Sequence, residues 1–323
     1  MDQAEGLKDL VNTKITGLAA KPSPVIPDGP EDSLGGKCPR VISVTSGKGG
    51  VGKTNVVANL GLAFANMGRR VLVLDADLGL ANIDVLLGLT PQYTFEHFFS
   101  EKKNLSEILI QGPGGMSILP ASSGVFDLVQ LSDKQKLFLL SEMDRIAEQI
   151  DVLLIDTGPG ISSNVLYFNM AAQESIVIVT PEPTSMTNAY ALIKVLSTRC
   201  HKKDFMILVN LVSDAHEARE VFEKISRVAD RFLKSPSIDY LGFIPHDEKL
   251  PSAAKHQKAV LEIYPKAPSS KVFTKLASLI WERPSRPKDQ GCIRFFWKQL
   301  LQPEAAVHGD GRIGWNREDP VKL

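Results

Sequence analysis

The feature that most constrains the fold is a glycine-rich loop between an apolar strand and a helix. Val41–Thr45 is a β-branched, apolar run that predicts a buried strand, and Asn55–Asn66 is a helical run. The loop between them fits the spacing G-x-x-x-x-G-K-[ST], with the fixed positions at Gly47, Gly52, Lys53 and Thr54. Such a loop directs consecutive backbone N–H groups toward phosphate oxygens, at the positive end of the following helix. The sequence therefore predicts a phosphate-binding loop.

Two side chains of this loop would contribute charge and metal binding. Lys53 would reach the β- and γ-phosphates of a nucleotide, and the Thr54 hydroxyl would bind Mg²⁺. A tight turn that happens to be rich in glycine is the structural alternative, but the complete spacing between strand and helix favours phosphate binding. The predicted nucleotide contacts in the loop are Gly47, Lys48, Gly49, Gly50, Val51, Gly52, Lys53, Thr54 and Asn55.

Composition argues against several classes of protein. Of the 323 residues, 43% are hydrophobic and 23% are charged, which is ordinary for a globular chain. The formal net charge is zero, so nothing global favours nucleic acid as a partner. The cysteines Cys38, Cys200 and Cys292 form no C-x-x-C pair, which indicates a reducing compartment and no cysteine metal site. With no signal peptide and no apolar run of bilayer length, we expect a cytoplasmic protein.

Apolar strands alternate with amphipathic helices from Val41 onward. Most strands are continuous apolar runs, as expected when helices cover both faces of a sheet. The predicted fold is therefore α/β, a single doubly wound, mostly parallel sheet of the P-loop NTPase type over residues 40–283. The predicted strands are Val41–Thr45, Arg70–Asp75, Met116–Leu119, Val152–Asp156, Ser175–Thr180, Phe205–Asn210 and Tyr240–Ile244. Ligands of such sheets bind at the carboxyl ends of the strands.

Acidic residues follow two of these strands. Asp77 could orient or activate an attacking water, and Asp75 could hold either the shell of a metal ion or Lys53. Asp156 closes the strand Val152–Asp156 in the Walker B arrangement and would bind Mg²⁺ through water. An Asx turn for the first two residues and a helix N-cap for the third are the structural alternatives.

Two later strand ends carry weaker candidates for a nucleotide base pocket. Asn210 has an amide whose donor and acceptor match the edge of a purine. Pro245, which follows the last predicted strand, could line the pocket. Taken alone, each of these residue types is more often a turn residue than a ligand contact, so that a structural role is the alternative for both.

Lys48 gives the loop a resemblance to a known superfamily. The run Lys-Gly-Gly-Val-Gly-Lys-Thr, with Lys48 as well as Lys53, resembles the deviant Walker A motif of the MinD/ParA dimerising ATPases. The resemblance implies that Lys48 crosses to the nucleotide of the partner subunit, so that ATP closes a two-fold homodimer. It also implies ATP and Mg²⁺ as ligands, Lys48 and Asp77 as catalytic residues, and switch segments at Asp75–Asp77 and after Asp156.

The N-terminus is similar to one branch of this superfamily. The FlhG (FleN/YlxH) family of flagellar-number regulators has the N-terminal motif D-Q-A-x-x-L-R. This chain resembles it, with lysine in place of arginine, at Asp2, Gln3, Ala4, Leu7 and Lys8. The resemblance implies that residues 1–18 activate the GTPase FlhF, although composition alone would favour disorder. Residues 19–39 have the composition of a flexible linker. Flagellar basal-body proteins or a transcriptional regulator are further implied partners.

An amphipathic segment follows the predicted domain, within residues 284–302. An apolar stripe at helical spacing, flanked by cations, suits a membrane interface and consists of Ile293, Phe296, Trp297, Leu300 and Leu301. Since MinD and FlhG proteins carry such a helix, the resemblance implies peripheral binding to an anionic surface on the inner face of the cytoplasmic membrane, with the cell pole as a candidate place. A helix packed on its own domain is the alternative. Residues 303–323 form a polar tail.

The resulting hypothesis is an FlhG-like ATPase that cycles between a monomer and an ATP-bound dimer. A cell-division or DNA-partitioning ATPase of the MinD/ParA type is the main alternative, and neutral net charge weighs against a DNA-binding surface. An iron–sulfur carrier of the Mrp type would need paired cysteines. A scaffold that binds nucleotide without hydrolysing it is a further alternative. The three acids Asp75, Asp77 and Asp156 are only a weak argument against it.

Overall fold

A computed structural model of the chain describes residues 39–77, 82–93, 95–100, 102–120, 132–233 and 236–284. The N-terminal motif of residues 1–18, nearly all of the linker, the C-terminal apolar stripe and the polar tail lie outside the described residues. The predictions made for those segments therefore stay predictions. The loop that follows Asp77 is likewise outside the description between residues 78 and 81.

Eight strands of the described residues form one sheet. They are β1 (Arg40–Ser46), β2 (Val71–Ala76), β3 (Ile110–Gln111), β4 (Ser117–Leu119), β5 (Val152–Pro159), β6 (Glu174–Val179), β7 (Asp204–Val212) and β8 (Ser237–Pro245). Their order is β3-β4-β2-β5-β1-β6-β7-β8, and every neighbouring pair is parallel except β3 with β4. The predicted doubly wound, mostly parallel sheet is confirmed. All seven predicted strands are present within a few residues of their predicted ends, whereas the short β3 was not predicted.

Helices connect the strands and cover both faces of the sheet. They are α1 (Lys53–Asn66), α2 (Ile83–Leu86), α3 (Phe95–Phe99), α4 (Leu105–Ile108), α5 (Asp133–Ala147), α6 (Ser163–Ala171), α7 (Pro183–Arg199), α8 (Ala215–Phe232), α9 (Lys249–Lys255), α10 (Val260–Ile263) and α11 (Pro268–Glu282). Within the described chain, none of these helices combines the length and apolarity that a membrane span requires.

The continuous apolar strands are explained by burial on both faces of the sheet. On one face, side chains of β1 and β5 pack with α1 and α11, whose Phe64 and Phe273 are fully buried. On the other face, the strands pack against α5 and α6 in one cluster and against α7 and α8 in another. At roughly 25 cal/mol per Å² of apolar surface removed from water, such burial is the main force that holds the three layers together.

The strand order decides which loops meet at the carboxyl edge of the sheet. The glycine-rich loop follows β1, which lies in the middle of the sheet between β5 and β6. On one flank, β5 and β2 carry Asp156 and Asp75 near their carboxyl ends, and the register pairs Asp75 directly with Asp156. On the other flank, β7 and β8 end near Asn210 and Pro245. Two acids of neighbouring strands therefore lie together on one side of the loop.

Candidate functional site

The glycine-rich loop opens into a cavity of about 540 Å³. Loop residues 48–55 line it, together with Ser46 before the loop and Asp77 after β2. The structure thus brings Asp77 to the same cavity as Lys53 and Thr54, although it is more than twenty residues away in sequence. Asp75 and Asp156 lie behind the wall rather than on it. The cavity has the position and the lining of a nucleotide site in a parallel α/β sheet.

A buried ion pair lies at the base of this cavity. Lys53 Nζ donates to Asp156 Oδ1 at 2.6 Å, and the side chains of Lys53 and Asp156 are 7% and 0% exposed. Burial raises the pKa of Asp156, and the neighbouring ammonium of Lys53 and hydroxyl of Thr54 offset part of that rise. The pair holds the loop lysine at the positive end of α1, where phosphate would bind.

The same carboxylate provides a test of the predicted magnesium site. Asp156 Oδ2 is buried and has no hydrogen-bond partner among the described residues. An unsatisfied buried carboxylate oxygen is costly unless a cation or its water shell reaches it. The Thr54 hydroxyl lies beside the same carboxylate and supplies a second hard oxygen ligand. Asp156 and Thr54 therefore fit Mg²⁺.

Asp75 accepts hydrogen bonds from the backbone that follows it, beginning with the Asx turn given above as the structural alternative, and its place in the shell of a metal ion stays a prediction. Its Oδ1 accepts from the Asp77 N–H at 3.1 Å, and its Oδ2 accepts from the N–H groups of Asn82 and Ile83 at 3.0 and 3.2 Å. Burial raises the pKa of Asp75 to about 6, and the negative charge of Asp156 adds to that rise. The hydrogen bonds from the three N–H groups act in the opposite direction and lower the pKa. Lys53 pairs with Asp156 and not with Asp75, which corrects one predicted alternative. Asp75 instead holds both ends of the loop that carries Asp77.

Two loop glycines are required by close packing. A Cβ on Gly47 would lie 2.2 Å from the backbone carbon and oxygen of Asn188, so the loop passes directly against α7. Gly52 has a φ of +87°, and a Cβ there would lie 2.6 Å from Asn210 Nδ2. A side chain at either position would displace a packed neighbour. The motif glycines therefore position the loop as well as leaving room for phosphate.

Lys48 lines the cavity and also makes an ion pair with a residue beyond the loop. Its Nζ pairs with the carboxylate of Glu182, the residue that precedes α7. Both side chains are partly exposed, at 35% and 56% for Lys48 and Glu182. Ser46 Oγ donates to the Lys48 carbonyl at 2.9 Å and fixes the backbone at that point. Because the ion pair is accessible to water, it can exchange for another partner at little cost.

Comparison with known proteins agrees with this geometry. A profile of the ParA family, described as NUBPL iron-transfer P-loop NTPase, matches residues 37–281. Antiactivator FleN of Pseudomonas aeruginosa is 45% identical over 268 residues, which cover 82% of this chain and 95% of that protein. The chain belongs to the FlhG (FleN/YlxH) family of MinD/ParA P-loop NTPases. A second FlhG relative, flagellum site-determining protein YlxH of Helicobacter pylori, is 31% identical over 81% of this chain and 90% of its own length.

A solved structure shares the fold of this FlhG-family chain. A chain of the MinC:MinD cell division protein complex of Aquifex aeolicus superposes with a TM-score of 0.61 at 26% identity. The match covers 78% of this chain and 99% of that one.

The two predicted base contacts, Asn210 and Pro245, are not on the wall of the cavity. Asn210 Nδ2 donates to the Val51 carbonyl at 2.8 Å, and its Oδ1 accepts from the Leu211 N–H at 3.0 Å. The amide predicted to match a purine edge is therefore used, in this structure, to hold the phosphate loop against β7. Pro245 ends β8 in register with Val212. Contact of either residue with a base stays a prediction.

Sequence reasoning missed the residues that reach the site from distant segments. Asn82, Val85 and Leu86 line the cavity from α2 and its N-terminus, and Ala254 and Gln257 line it from the end of α9. Gln257 Nε2 also donates to the Val85 carbonyl at 3.1 Å, so it joins the two segments. Asn82 closes the sequence Asp77–Asn82, which resembles the switch I sequence of the FlhG family, whereas the other positions belong to no motif and only the folded chain brings them to the loop.

Proposed function

We propose that this chain is a magnesium-dependent ATPase whose cycle of ATP-driven dimerisation regulates the number and placement of flagella. The observation that carries the proposal is the meeting of Lys53, Thr54 and Asp77 at one cavity, above a buried Lys53–Asp156 pair. Membership of the FlhG family supports the biological role, because the named relatives are an antiactivator and a flagellum site-determining protein. The fold shared with a MinD complex supports the ATPase chemistry.

The chemistry follows from the charges of the site. ATP would lie with its phosphates against the backbone N–H groups of the loop, and Lys53 would neutralise the oxygens of the β- and γ-phosphates. Mg²⁺, held by Thr54 and by Asp156 through water, would supply further positive charge to the phosphates. Asp77 would orient the attacking water and accept a hydrogen bond from it. The water oxygen would form a bond to the γ-phosphorus as the bond to the β,γ-bridging oxygen breaks, and ADP, phosphate and the proton released from the water would leave.

Dimerisation would be coupled to nucleotide through Lys48. In the single chain Lys48 is paired with Glu182. If it reaches the nucleotide of a partner subunit, ATP bound at one loop attracts the lysine of the other. Binding of nucleotide and closure of a two-fold dimer then become one event.

Lys48→Ala tests this coupling. The substitution is expected to abolish the ATP-dependent shift in gel filtration, while some nucleotide binding remains. A shift that survives the substitution contradicts the role of Lys48 in trans.

The two ends of the chain would carry the output of this cycle. Residues 292–301 would bind an anionic membrane surface, weakly in a monomer and with greater avidity when a dimer presents two copies. The motif Asp2–Lys8 would activate an FlhF-type GTPase, and flagellar basal-body proteins or a transcriptional regulator would be further partners. The protein would thus lie at the inner face of the cytoplasmic membrane, with the cell pole as a candidate place.

An ATPase assay with liposomes tests the core of this proposal. Hydrolysis is measured for the natural chain with and without phosphatidylglycerol vesicles, and for Asp77→Ala. We expect vesicles to raise turnover and the substitution to lower it by about 10²-fold or more, as for other groups that position an attacking water. Asp84→Ala is a matched control, because Asp84 is a nearby acid in α2 that does not line the cavity. Turnover unaffected by both lipid and Asp77→Ala would refute the membrane-switch mechanism.

The activator role of the N-terminus has a separate test. Deletion of Met1–Leu10 is expected to leave basal ATP hydrolysis intact, since the described domain begins near residue 39. The same deletion should remove stimulation of GTP hydrolysis by an FlhF-type GTPase. A control chain with Asp2, Gln3 and Leu7 changed to alanine should behave like the deletion. If stimulation persists in both, the activator assignment is wrong.

A further inference from the structure

Helix α9 ends beside the cavity in a backbone motif that requires a left-handed residue. The Gln257 N–H donates to the Ala254 carbonyl at 2.9 Å, and the Lys258 N–H donates to the Ala253 carbonyl at 3.1 Å. These two bonds form a Schellman motif, in which the residue after the helix cap has a positive φ. That residue is Gln257, with a φ of +54°. Glycine is the usual residue at this position, because a side chain there strains the backbone.

Helix α2 ends in the same motif and does use glycine. The Gly88 N–H donates to the Val85 carbonyl at 3.3 Å, and Gly88 has a φ of +63°. The Leu89 N–H donates to the Asp84 carbonyl at 2.8 Å. A Cβ on Gly88 would lie 3.1 Å from the Cβ of Gln257, so the two helix ends are packed directly against each other. Gly88 therefore leaves the space that the side chain of Gln257 occupies.

The side chain of Gln257 makes a bond that glycine could not make. Its Nε2 donates to the Val85 carbonyl at 3.1 Å, across 172 positions of sequence, and both residues line the cavity. The side chain is otherwise exposed to water, so burial of its surface does not explain its presence. Backbone strain at an exposed residue that contacts the wall of a candidate site indicates a function for that side chain.

Helix α2 connects this bond to Asp77. Asp75 accepts from two N–H groups at the start of α2, and Gln257 binds the carbonyl of Val85 near its end. Asn82, which precedes α2, donates from Nδ2 to Asp77 Oδ2 at 3.5 Å. A helix of four residues has little stability of its own, so its position depends on such contacts. Movement of α2 would therefore displace the side chain that contacts the Asp77 carboxylate.

We propose that Gln257 is a positioning residue for ATP hydrolysis, which fixes α2 so that Asn82 keeps Asp77 oriented toward the attacking water. The inference rests on the proposed ATPase function and on the role of Asp77 within it. Gln257 acts through α2 and contacts no reacting atom. Because ADP binding uses the phosphate loop and needs no attacking water, ADP affinity should be almost independent of the Gln257 amide.

Three substitutions at this position test the assignment in steady-state ATP hydrolysis by the full chain with Mg²⁺. Gln257→Gly removes the amide and relieves the strain, Gln257→Asn shortens the side chain by one methylene, and Gln257→Met keeps its length without the donor. Each should lower kcat about three- to tenfold, the effect of losing one hydrogen bond. The KM for ATP and the Kd for ADP, measured by calorimetry, should stay within about twofold.

Lys258→Ala is the matched control, because Lys258 is the next residue in the chain and does not line the cavity. Its kcat should stay within about twofold of the natural value. Unchanged kcat in all three Gln257 variants would overturn the proposal. So would a loss of ADP affinity as large as the loss of kcat, since Gln257 would then contact the nucleotide itself. Losses of kcat that follow the urea midpoints of the variants would show a role in the fold alone.

A double-mutant cycle separates this inference from the function on which it rests. If Gln257 acts through Asp77, Gln257→Gly should lower the residual turnover of Asp77→Ala by less than about twofold. A full further loss in that background would mean that Gln257 acts independently of Asp77, which contradicts the proposal while leaving the ATPase function intact. Absence of ATP hydrolysis by the natural chain, or unchanged turnover in Asp77→Ala, would instead refute the proposed mechanism, and this inference with it.

Discussion

The Lys53–Asp156 pair is the residue-scale feature whose removal should affect the fold most. Both charges are buried, so that each depends on the other for compensation. Asp156→Ala should lower the free energy of unfolding by about 3–5 kcal/mol, because it leaves a buried ammonium without a partner. Replacing both residues, as Lys53→Met with Asp156→Leu, should recover most of that loss, since apolar groups of similar size need no compensation. Urea unfolding without nucleotide measures all three chains.

A surface pair provides the control for this cycle. Lys258 and Glu262, four residues apart in the chain, are in contact at 2.8 Å, and both are accessible to water. Lys258→Ala should change the free energy of unfolding by no more than about 0.5 kcal/mol. If Asp156→Ala were as mild as this control, the described pairing of Lys53 would not exist in solution.

The glycines of the loop offer a second prediction at this scale. A Cβ at Gly47 would lie 2.2 Å from the backbone of Asn188, whereas a Cβ at Gly49 would meet only Pro159 Cγ, at 3.8 Å. Gly47→Ala should therefore lower the free energy of unfolding by about 3 kcal/mol, because α7 must move to accept it. Gly49→Ala, at a position without positive φ, should change it by less than about 1 kcal/mol. Equal effects in the absence of nucleotide would contradict the packing of the loop against α7.

The residues of the site were predictable to the extent that a local motif carries them. The strand–loop–helix spacing indicated residues 47–55, and position at a strand end indicated Asp77 and Asp156. For Asp75, the Asx turn with Asp77 was predictable as an alternative, whereas the bonds from the N–H groups of Asn82 and Ile83, seven and eight residues away, were not. Glu182 was missed for the same reason, since 134 residues separate it from Lys48. Sequence spacing gives no signal for contacts of this kind.

At the scale of elements, α8 shows how a single cap supports a long surface helix. Asp214 accepts from the N–H groups of His216 and Glu217 at 2.8 and 2.9 Å, and these bonds hold the pKa of Asp214 below its ordinary value. A lowered pKa means that the ionised side chain stabilises the fold above the pKa of the unfolded chain. That contribution is lost as the pH falls through the lower, folded-state pKa.

Asp214→Asn makes this contribution measurable. Asparagine keeps the capping geometry but carries no charge, so it loses only the favourable interaction with the helix dipole. The natural chain should be the more stable of the two at neutral pH. The difference between their urea midpoints should shrink as the pH falls below about 4, where an aspartate of ordinary pKa begins to take up protons. A difference that stays constant with pH would show that the cap acts through geometry alone.

The strands were predictable where their side chains are completely buried, because burial then decides the apolar pattern of the sequence. Continuous apolar runs identified the strands of the central sheet because helices cover both of their faces. The antiparallel β3 escaped prediction, since it has two residues, Ile110 and Gln111, and neither is fully buried. Helices α2 and α4 have four residues each, too few to show a helical period. The formation of these short helices depends on tertiary contacts, such as the hydrogen bonds that Asp75 accepts from the N–H groups at the start of α2.

At the scale of the whole molecule, the contact between Lys48 and Glu182 links the nucleotide loop to α7 in a single chain. If Lys48 serves the nucleotide of a second subunit, it must leave Glu182 first. The pair therefore favours the monomer by the strength of one partly exposed ion pair. Glu182→Gln removes that preference while keeping the size of the side chain. It should lower the ATP concentration for half-maximal dimerisation by up to about fivefold, the effect of an exposed ion pair.

Light scattering or sedimentation during an ATP titration measures this shift, with hydrolysis suppressed by Asp77→Ala in both chains. The combination with Lys48→Ala is the decisive comparison, because Glu182→Gln should not restore ATP-dependent dimerisation when the lysine is absent. Dimerisation restored in the double variant would mean that Glu182 acts on the interface by itself. Weaker dimerisation in Glu182→Gln would mean that the ion pair is kept or re-formed in the dimer. Lys48 would then be held in place by its own chain, and nucleotide would have to close the dimer by another contact.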